Sequence, residues 1–388
     1  MARGNTGSST NADARLAGKE AAAQAKKGLS QIKLAFAYAS ADYHLNDMLA
    51  GIAEELPGVP VIGNTSFTGV ITPDGYISGD KGFLGILALD DAALSVGVAA
   101  GKRGSDPRTT GHQIAEKAMA AAGKTVPPDY FYMVASPAEE EFYLKGITEV
   151  IGRVPFFGGS AADNEIAGKW QLYTDAGAFA DGAAVAFFYT DKPFANEFTG
   201  AYRETKDCGI ITKIKGNRTL VEIDGEPALK KYAAWRGLDA DSLKGGTLLG
   251  AAVVSPLGVK DPLGDLVAIR HPMNGNDDYS INVGNNLSVH TAAIRMEASV
   301  DELIDAAGST LGKLKKKLPT KAGAYLLVHC GGRRAAIGDR IGEVAEQLIK
   351  EADGVPFIAE FTFGEYGYVD DGRNTCGGLM LSFSAFGK

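Results

Sequence analysis

Val59-Pro-Val-Ile-Gly-Asn-Thr-Ser66, Val154-Pro-Phe-Phe-Gly-Gly-Ser160 and Val355-Pro-Phe-Ile-Ala-Glu-Phe361 decide how this chain is read. Each opens on Val-Pro, which puts a proline near a strand start, where its missing N–H is tolerated. Each continues as a short apolar run with β-branched or aromatic residues, the pattern of a buried strand. Working outward, the same order of events surrounds all three. Upstream lie helical patterns at 45–56, 138–151 and 336–351, with apolar positions three or four apart, as in Ile341, Val344, Ala345, Leu348 and Ile349. Before these come the apolar strands IKLAFAY (32–38), YFYMVAS (130–136) and AYLLVHC (324–330), themselves preceded by helical stretches from Leu16, Thr110 and Val300. Downstream follow Gly-rich hairpins and closing strands at 82–89, 183–189 and 378–386. Strand–helix–strand alternation implies sheets covered by helices.

The expectation is therefore a mixed α/β (α+β) fold. Repeated helix–strand–helix–strand–hairpin units form helix-covered sheets, and residues 247–296, broken by Pro, Gly and Asn-rich turns, form a strand-rich insert in the C-terminal half. Residues 1–12 read as a flexible N-terminus, 13–238 as an N-terminal domain with two repeat units, and 239–388 as a C-terminal domain with one.

With 388 residues, 45% apolar and 22% charged, the chain has the material for more than one packed core. A net charge of −8 disfavours nucleic acid and anionic lipid as partners. The basic run Lys313, Lys315, Lys316, Lys317 and Lys321 falls at a predicted helix end, where cations favour the helix dipole. Three cysteines without a CxxC pair argue against a disulfide framework or structural zinc. No stretch has the length and composition of a membrane span or signal peptide, so a cytoplasmic location is expected.

Three segments could carry ligand chemistry. In Val328-His329-Cys330-Gly331-Gly332-Arg333-Arg334, a strand passes to a helix through a Gly pair, so backbone N–H groups and an arginine could grip a carboxylate. The matching turns in the other units carry acid and no arginine. Glu365 and Asn374 flank a turn at Asp370-Asp371-Gly372, so both could face one cleft. Gly159, Ser160 and Asp163 lie on the corresponding loop of the second unit and could form a pocket wall. No catalytic motif is present: there is no G-x-S-x-G, Walker A or H-E-x-x-H. His329 and Cys330 are adjacent on a strand and point to opposite faces, so they cannot act as a base–nucleophile pair. None of the five histidines has a partner at metal-ligand spacing, although haem needs only one imidazole. Neither catalysis nor a metal is expected.

Taken together, these pieces resemble the FIST family of sensory proteins, with an N-terminal and a C-terminal FIST domain. The N-terminal resemblance rests on VPVIGNTS, VPFFGGSAADN and the run Thr219-Leu-Val-Glu-Ile-Asp-Gly-Glu-Pro-Ala-Leu-Lys-Lys-Tyr232. The C-terminal one rests on His271-Pro-Met after Arg270, on Cys330-Gly-Gly-Arg333, and on Gly364-Glu365 with Asn374-Thr375. The resemblance implies sensing of a small ligand, amino-acid-like or a carboxylate metabolite, with output through a signalling partner such as a histidine kinase. On this reading Arg270, Arg333 and the backbone at Cys330, Gly331 and Gly332 hold the carboxylate, while Glu365, Asn374 and Thr375 read its other groups. The resemblance also implies an alternative, a haem-based nitric-oxide sensor regulating a histidine kinase or a cyclic-di-nucleotide enzyme. Thr199-Gly-Ala-Tyr202 stands where the family often carries a His-Gly-Trp-like stretch, so no haem is the first expectation.

Overall fold

The three Val-Pro strands occupy equivalent places in three equivalent sheets. The computed structural model describes residues 3–260, 265–369 and 372–388, and it is of mixed α/β class. In the first copy the strand Ile32–Ala39 runs parallel to the Val-Pro strand Val61–Thr65 and antiparallel to the closing strand Leu84–Asp90. Helices Ala14–Ala25 and Leu45–Glu55 cover its outer face. The second copy repeats this with Tyr130–Ala135, Phe156–Ser160, Gly182–Tyr189 and helices Pro107–Ala121 and Glu140–Ile151. The third uses Ala322–Cys330, Phe357–Thr362, Leu381–Gly387 and helices Val300–Lys317 and Ile341–Ala352.

Each copy gives its hairpin to a neighbour. The hairpin of the second copy, Leu172–Thr174 with Gly177–Phe179, pairs with the Val-Pro strand of the first. That of the third, Glu365–Gly367 with Thr375–Gly377, pairs with the second. That of the first, Val70–Thr72 with Gly75–Ile77, pairs with the third. Three equivalent backbone hydrogen bonds close this ring: Ala162 N donates to Thr65 O (2.8 Å), Phe363 N to Ser160 O (3.1 Å) and Phe67 N to Phe361 O (2.9 Å). In the middle of the Val-Pro strands the chains approach so closely that a Cβ on Gly63 or Gly158 would lie 1.7 or 1.8 Å from the carbonyl of Ala37 or Met133.

Because successive side chains in a strand point to opposite faces, each sheet builds two cores. Leu34, Phe36 and Tyr38, Tyr130, Tyr132 and Val134, and Ala324, Leu326 and Val328 meet in a central core shared by all three sheets. Ala35, Ala37 and Ala39, or Phe131, Met133 and Ala135, face the helices instead. Burial of each large apolar side chain stabilises the fold by about 1.5–3 kcal/mol. One polar cluster interrupts the central core. Asn64 Nδ2 donates to Glu360 Oε2 (2.7 Å), Tyr132 OH reaches Glu360 Oε1 (3.4 Å), and Tyr38 OH donates to Tyr132 OH (3.3 Å). Burial pushes the Glu360 carboxyl up to about 8, so it holds its proton at neutral pH.

Two boundaries differ from the sequence expectation. Residues 3–9, expected to be flexible, form an edge strand, Arg3–Ser9, paired along its length with Leu84–Asp90. Strands Ser95–Lys102 and Phe194–Thr199 play this part in the other copies. The third copy thus starts at Phe194, and a boundary at 238/239 falls inside a single inserted unit, Arg203 to Glu297, placed between that edge strand and helix Val300–Lys317. The insert carries its own mixed-length strands, helix Ala228–Arg236, and a core of Ile211, Leu220, Leu229, Tyr232 and Ile281. Pairing across long sequence separations, which local pattern does not report, sets both boundaries.

Candidate functional site

The motif residues from both halves of the chain converge where the second copy, the third copy and the insert meet. Glu365 pairs directly with Gly159 across the swapped hairpin, and Ser160 Oγ lies 2.7 Å from the hydroxyl of Tyr366. Glu365 is fully buried; Oε1 accepts from Thr362 Oγ1 (2.9 Å) and Oε2 from Met380 N (2.8 Å). Burial raises its carboxyl to about 8. Cys330 caps the short helix Gly331–Ile337, its Sγ accepting from Gly332 N at 3.2 Å. Burial, with the Glu365 carboxyl beside it, pushes the Cys330 thiol far up, the opposite of what a nucleophilic cysteine needs. A Cβ on Gly332 would meet Leu379, Cys330 Sγ and His271, so the Gly pair brings the third copy's turn against the insert.

The arginines stand differently from the sequence reading. Arg333, expected to grip a carboxylate, is 0% exposed. Nη1 donates to Gly200 O (2.6 Å) and, more weakly, Leu379 O (3.4 Å), and Nη2 donates to Leu303 O (3.1 Å). The guanidinium lies 5.7 Å from the centre of the Tyr202 ring, and Nε has no partner. It is a clamp joining the entry to the insert, the turn that follows the swapped hairpin and helix Val300–Lys317. Arg270 behaves similarly, with Nε to Asn286 O (2.8 Å) and Nη1 to Cys376 O (3.2 Å) and Ile269 O (3.1 Å). Of the two arginines in the Gly-Gly-Arg-Arg turn, Arg334 is the one that reaches a surface cleft. Its Nη2 donates to Tyr76 OH (3.1 Å) in an opening of about 540 Å³ that also presents Asp42, Asn164 and Asp339.

The remaining candidates hold the frame. Asp163 accepts from Glu165 N (3.0 Å), Ala167 N (2.9 Å) and Lys169 N (2.9 Å), organising its own loop. Asn374 Nδ2 donates to Val154 O (2.8 Å), tying the hairpin to the start of the Val-Pro strand, and its Oδ1 is buried without a partner. Thr375 pairs with Gly367 in the hairpin. The turn expected between Glu365 and Asn374 includes Asp370 and Asp371, which lie outside the described residues.

Sequence reasoning missed Glu140, Glu141, Arg218 and Asn285. Glu140 opens helix Glu140–Ile151, is 1% exposed, and is reached by Asn285 Nδ2 from the insert (3.4 Å). Arg218 Nη2 lies 2.6 Å from Glu141 Oε2 and 3.1 Å from Glu140 Oε2; its Nε donates to Asn286 Oδ1 (3.2 Å) and its Nη1 to Gly284 O. Desolvation, with the neighbouring Glu141, raises the Glu140 carboxyl to about 7. The signal available was the acid in the second unit's strand–helix turn. Nothing local in the sequence brings Arg218 to it. Backbone strain borders the same junction: Ala138, Ala201 and Leu379 adopt positive φ of 95°, 51° and 54°. Such strain persists only where surrounding structure enforces it.

The profile of the FIST N domain matches residues 33–226, and that of the FIST C domain matches residues 228–368. The chain belongs to the FIST family. FIST domains are associated with signal transduction and small-ligand sensing. This FIST chain matches no curated protein. Among solved structures it is similar over its full length to cyanuric acid hydrolase from A. caulinodans, at 11% identity and a TM-score of 0.38, covering 100% of both chains. It also aligns with T. maritima PurL complexed with ADP, at 8% identity and a TM-score of 0.26, covering 99% of this chain and 71% of that one. Likeness at this level carries nothing about the activity of a FIST protein.

The alternative of a haem-based sensor raises the question of fit. His271 is engaged through Nε2 with Leu249 O at 2.8 Å, and burial lowers it to about 4. His329 is 1% exposed, packs edge-on to Phe361 and is lowered to about 3 by burial and Arg333. Among the described residues, no histidine lines the larger surface clefts. Neither His271 nor His329 opens onto these clefts, so neither is placed to hold a haem.

Proposed function

We propose that this protein is a non-catalytic sensor of a small, amino-acid-like metabolite, bound at the junction of the second copy, the third copy and the insert, with output through a signalling partner such as a histidine kinase. The observation that carries the reading is the convergence just described: Gly159-Ser160, the Cys330-Gly331-Gly332 turn and Glu365 meet the insert's His271 and Asn285 around one buried polar centre. A ligand there touches the second copy, the third copy and the insert at once, so a difference in its affinity for alternative arrangements of them becomes a signal. A cytoplasmic location agrees with a partner-dependent output. Among the described residues, no helix is long and apolar enough to cross a membrane.

Calorimetry and thermal shift against a panel of amino acids and small acids test this reading, with hydrogen exchange to locate the response. The expected result is a saturable stabilisation with slowed exchange at 138–141, 330–333 and 364–366. Binding that protects only residues remote from the junction, or no binding across the panel, refutes it.

A further inference from the structure

We infer that the open cleft beside Arg334 is a second binding site, separate from the buried junction, and that it takes a dibasic zwitterion: one carboxylate and two amines on an aliphatic chain, the class of lysine and ornithine. The inference goes beyond the sensor reading and does not rest on it.

The cleft holds about 540 Å³, and all three copies build it. A volume of roughly 300–1,000 Å³ is usual for a small-ligand site. The first copy gives Asp42 from its strand–helix turn and Asp80 from the loop after its hairpin, the third gives Arg334 and Asp339, and the second gives Asn164. Asn164 fixes the form of one wall. Its Nδ2 donates to Ser40 Oγ (3.1 Å) and Asp42 Oδ2 (2.8 Å), and its Oδ1 accepts from Thr68 N (3.0 Å). Thr68 is held at a φ of 63°, and its carbonyl accepts from Tyr76 OH (2.6 Å). Tyr76 in turn backs the Arg334 guanidinium, which lies 5.0 Å from the centre of its ring. One chain of contacts thus sets an acid and a base on the same cleft.

Charge selects the occupant. Among the described residues Arg334 has no acid at ion-pair distance; its partners are Tyr76 OH, through Nε (3.4 Å) and Nη2 (3.1 Å), and Gly338 O, through Nη1 (2.9 Å). Three of its five N–H groups are engaged, so two stay open to a carboxylate. Asp80 and Asp339 take no hydrogen bond or ion pair from the described residues, and Asp42 accepts on Oδ2, leaving Oδ1 open. The bases close to them in the chain do not neutralise them. Lys169 pairs with Glu165 (2.7 Å), Arg340 with Asp301 and Glu343 (2.7 Å each), and Lys81 is exposed and outside the cleft lining. A simple acid meets three carboxylates for one guanidinium, and a simple diamine sets an ammonium against that guanidinium. One carboxylate on Arg334 with two ammonium groups on the acids satisfies both signs. Phe83 and Ile341, both buried, give apolar lining for the chain between them.

The test is calorimetry on the full chain near neutral pH, at matched ionic strength, with L-lysine, with norleucine, which lacks the side-chain amine, and with cadaverine, which lacks the carboxylate. Lysine binds, and each analogue binds at least about tenfold more weakly, the fold-change of one charge-assisted hydrogen bond. Arg334→Gln removes the preference for lysine over cadaverine, and the double variant Asp80→Asn with Asp339→Asn removes the preference for lysine over norleucine. Each preference is a ratio read within one protein, so a general loss of stability does not mimic its loss. Hydrogen exchange slows at 76–80 and 334–341 when lysine is bound. Absence of lysine binding, an analogue within about twofold of lysine, or a preference over cadaverine that survives Arg334→Gln overturns the proposal. Lysine that slows exchange at 138–141 and 364–366 but not at 76–80 sinks this cleft and supports the junction instead.

Discussion

Replacing Arg333 separates a clamp from a ligand contact. Arg333→Ala removes hydrogen bonds to the carbonyls of Gly200, Leu303 and Leu379 and leaves those acceptors buried, two of them at good distances of 2.6 and 3.1 Å. A hydrogen bond involving a charged group contributes about 1.5–3 kcal/mol. Two good ones, a weak third and lost packing give about 3–5 kcal/mol, offset in part because the buried guanidinium no longer lacks solvent. That is a large share of the roughly 5–15 kcal/mol that holds a typical protein folded. Urea unfolding followed by circular dichroism should show the midpoint falling steeply. The fraction that remains folded should bind an amino-acid ligand with affinity close to wild type. Arg333→Lys keeps the charge without the planar fork and should recover only part of the stability. A variant with the wild-type midpoint and lost binding would refute the clamp and restore the guanidinium as the ligand's grip.

Buried acids also set the pH response. The folded-state values of Glu360 and Glu365, about 8, lie above their unfolded ones, so the folded state holds more protons and these groups' contribution to stability is lost as pH rises from about 4.5 to 8. His271 and His329, lowered to about 4 and 3, oppose this below about pH 6.5, so the fall should be clean between about 6.5 and 8. There Glu360→Gln should make the fall of melting temperature with pH shallower, with Glu365 keeping its own share, and an unchanged slope would contradict a protonated Glu360. Native protein should react with one equivalent of a thiol reagent at exposed Cys208, because Cys330 and Cys376 are buried; more than one modified thiol by mass spectrometry would contradict that. Asp163→Ala should cost about 1–3 kcal/mol and open residues 163–169 to protease, since three backbone N–H groups lose their acceptor.

The sequence by itself determined the repeat. Val-Pro strands, their flanking helices and closing strands are local patterns, written in apolar periodicity and turn residues, and they fall where the three sheets form. It also determined the family, because the motif residues are contiguous runs, and it singled out Gly159, Ser160, Cys330 and Glu365, which the fold brings into one place. Only the tertiary structure decided what those residues meet. The exchange of hairpins around the ring depends on pairs such as Gly159 with Glu365 and Glu360 with Val70, distant in sequence and carrying no local signature. The role of Arg333 turned on burial: a guanidinium read as a free grip is enclosed by three carbonyls from three separate segments of the chain. Glu140 and Arg218, 78 positions apart (218 minus 140), become partners only because the insert folds back over the second copy. Periodicity reports which face of an element is buried, and it is silent on which other element does the burying.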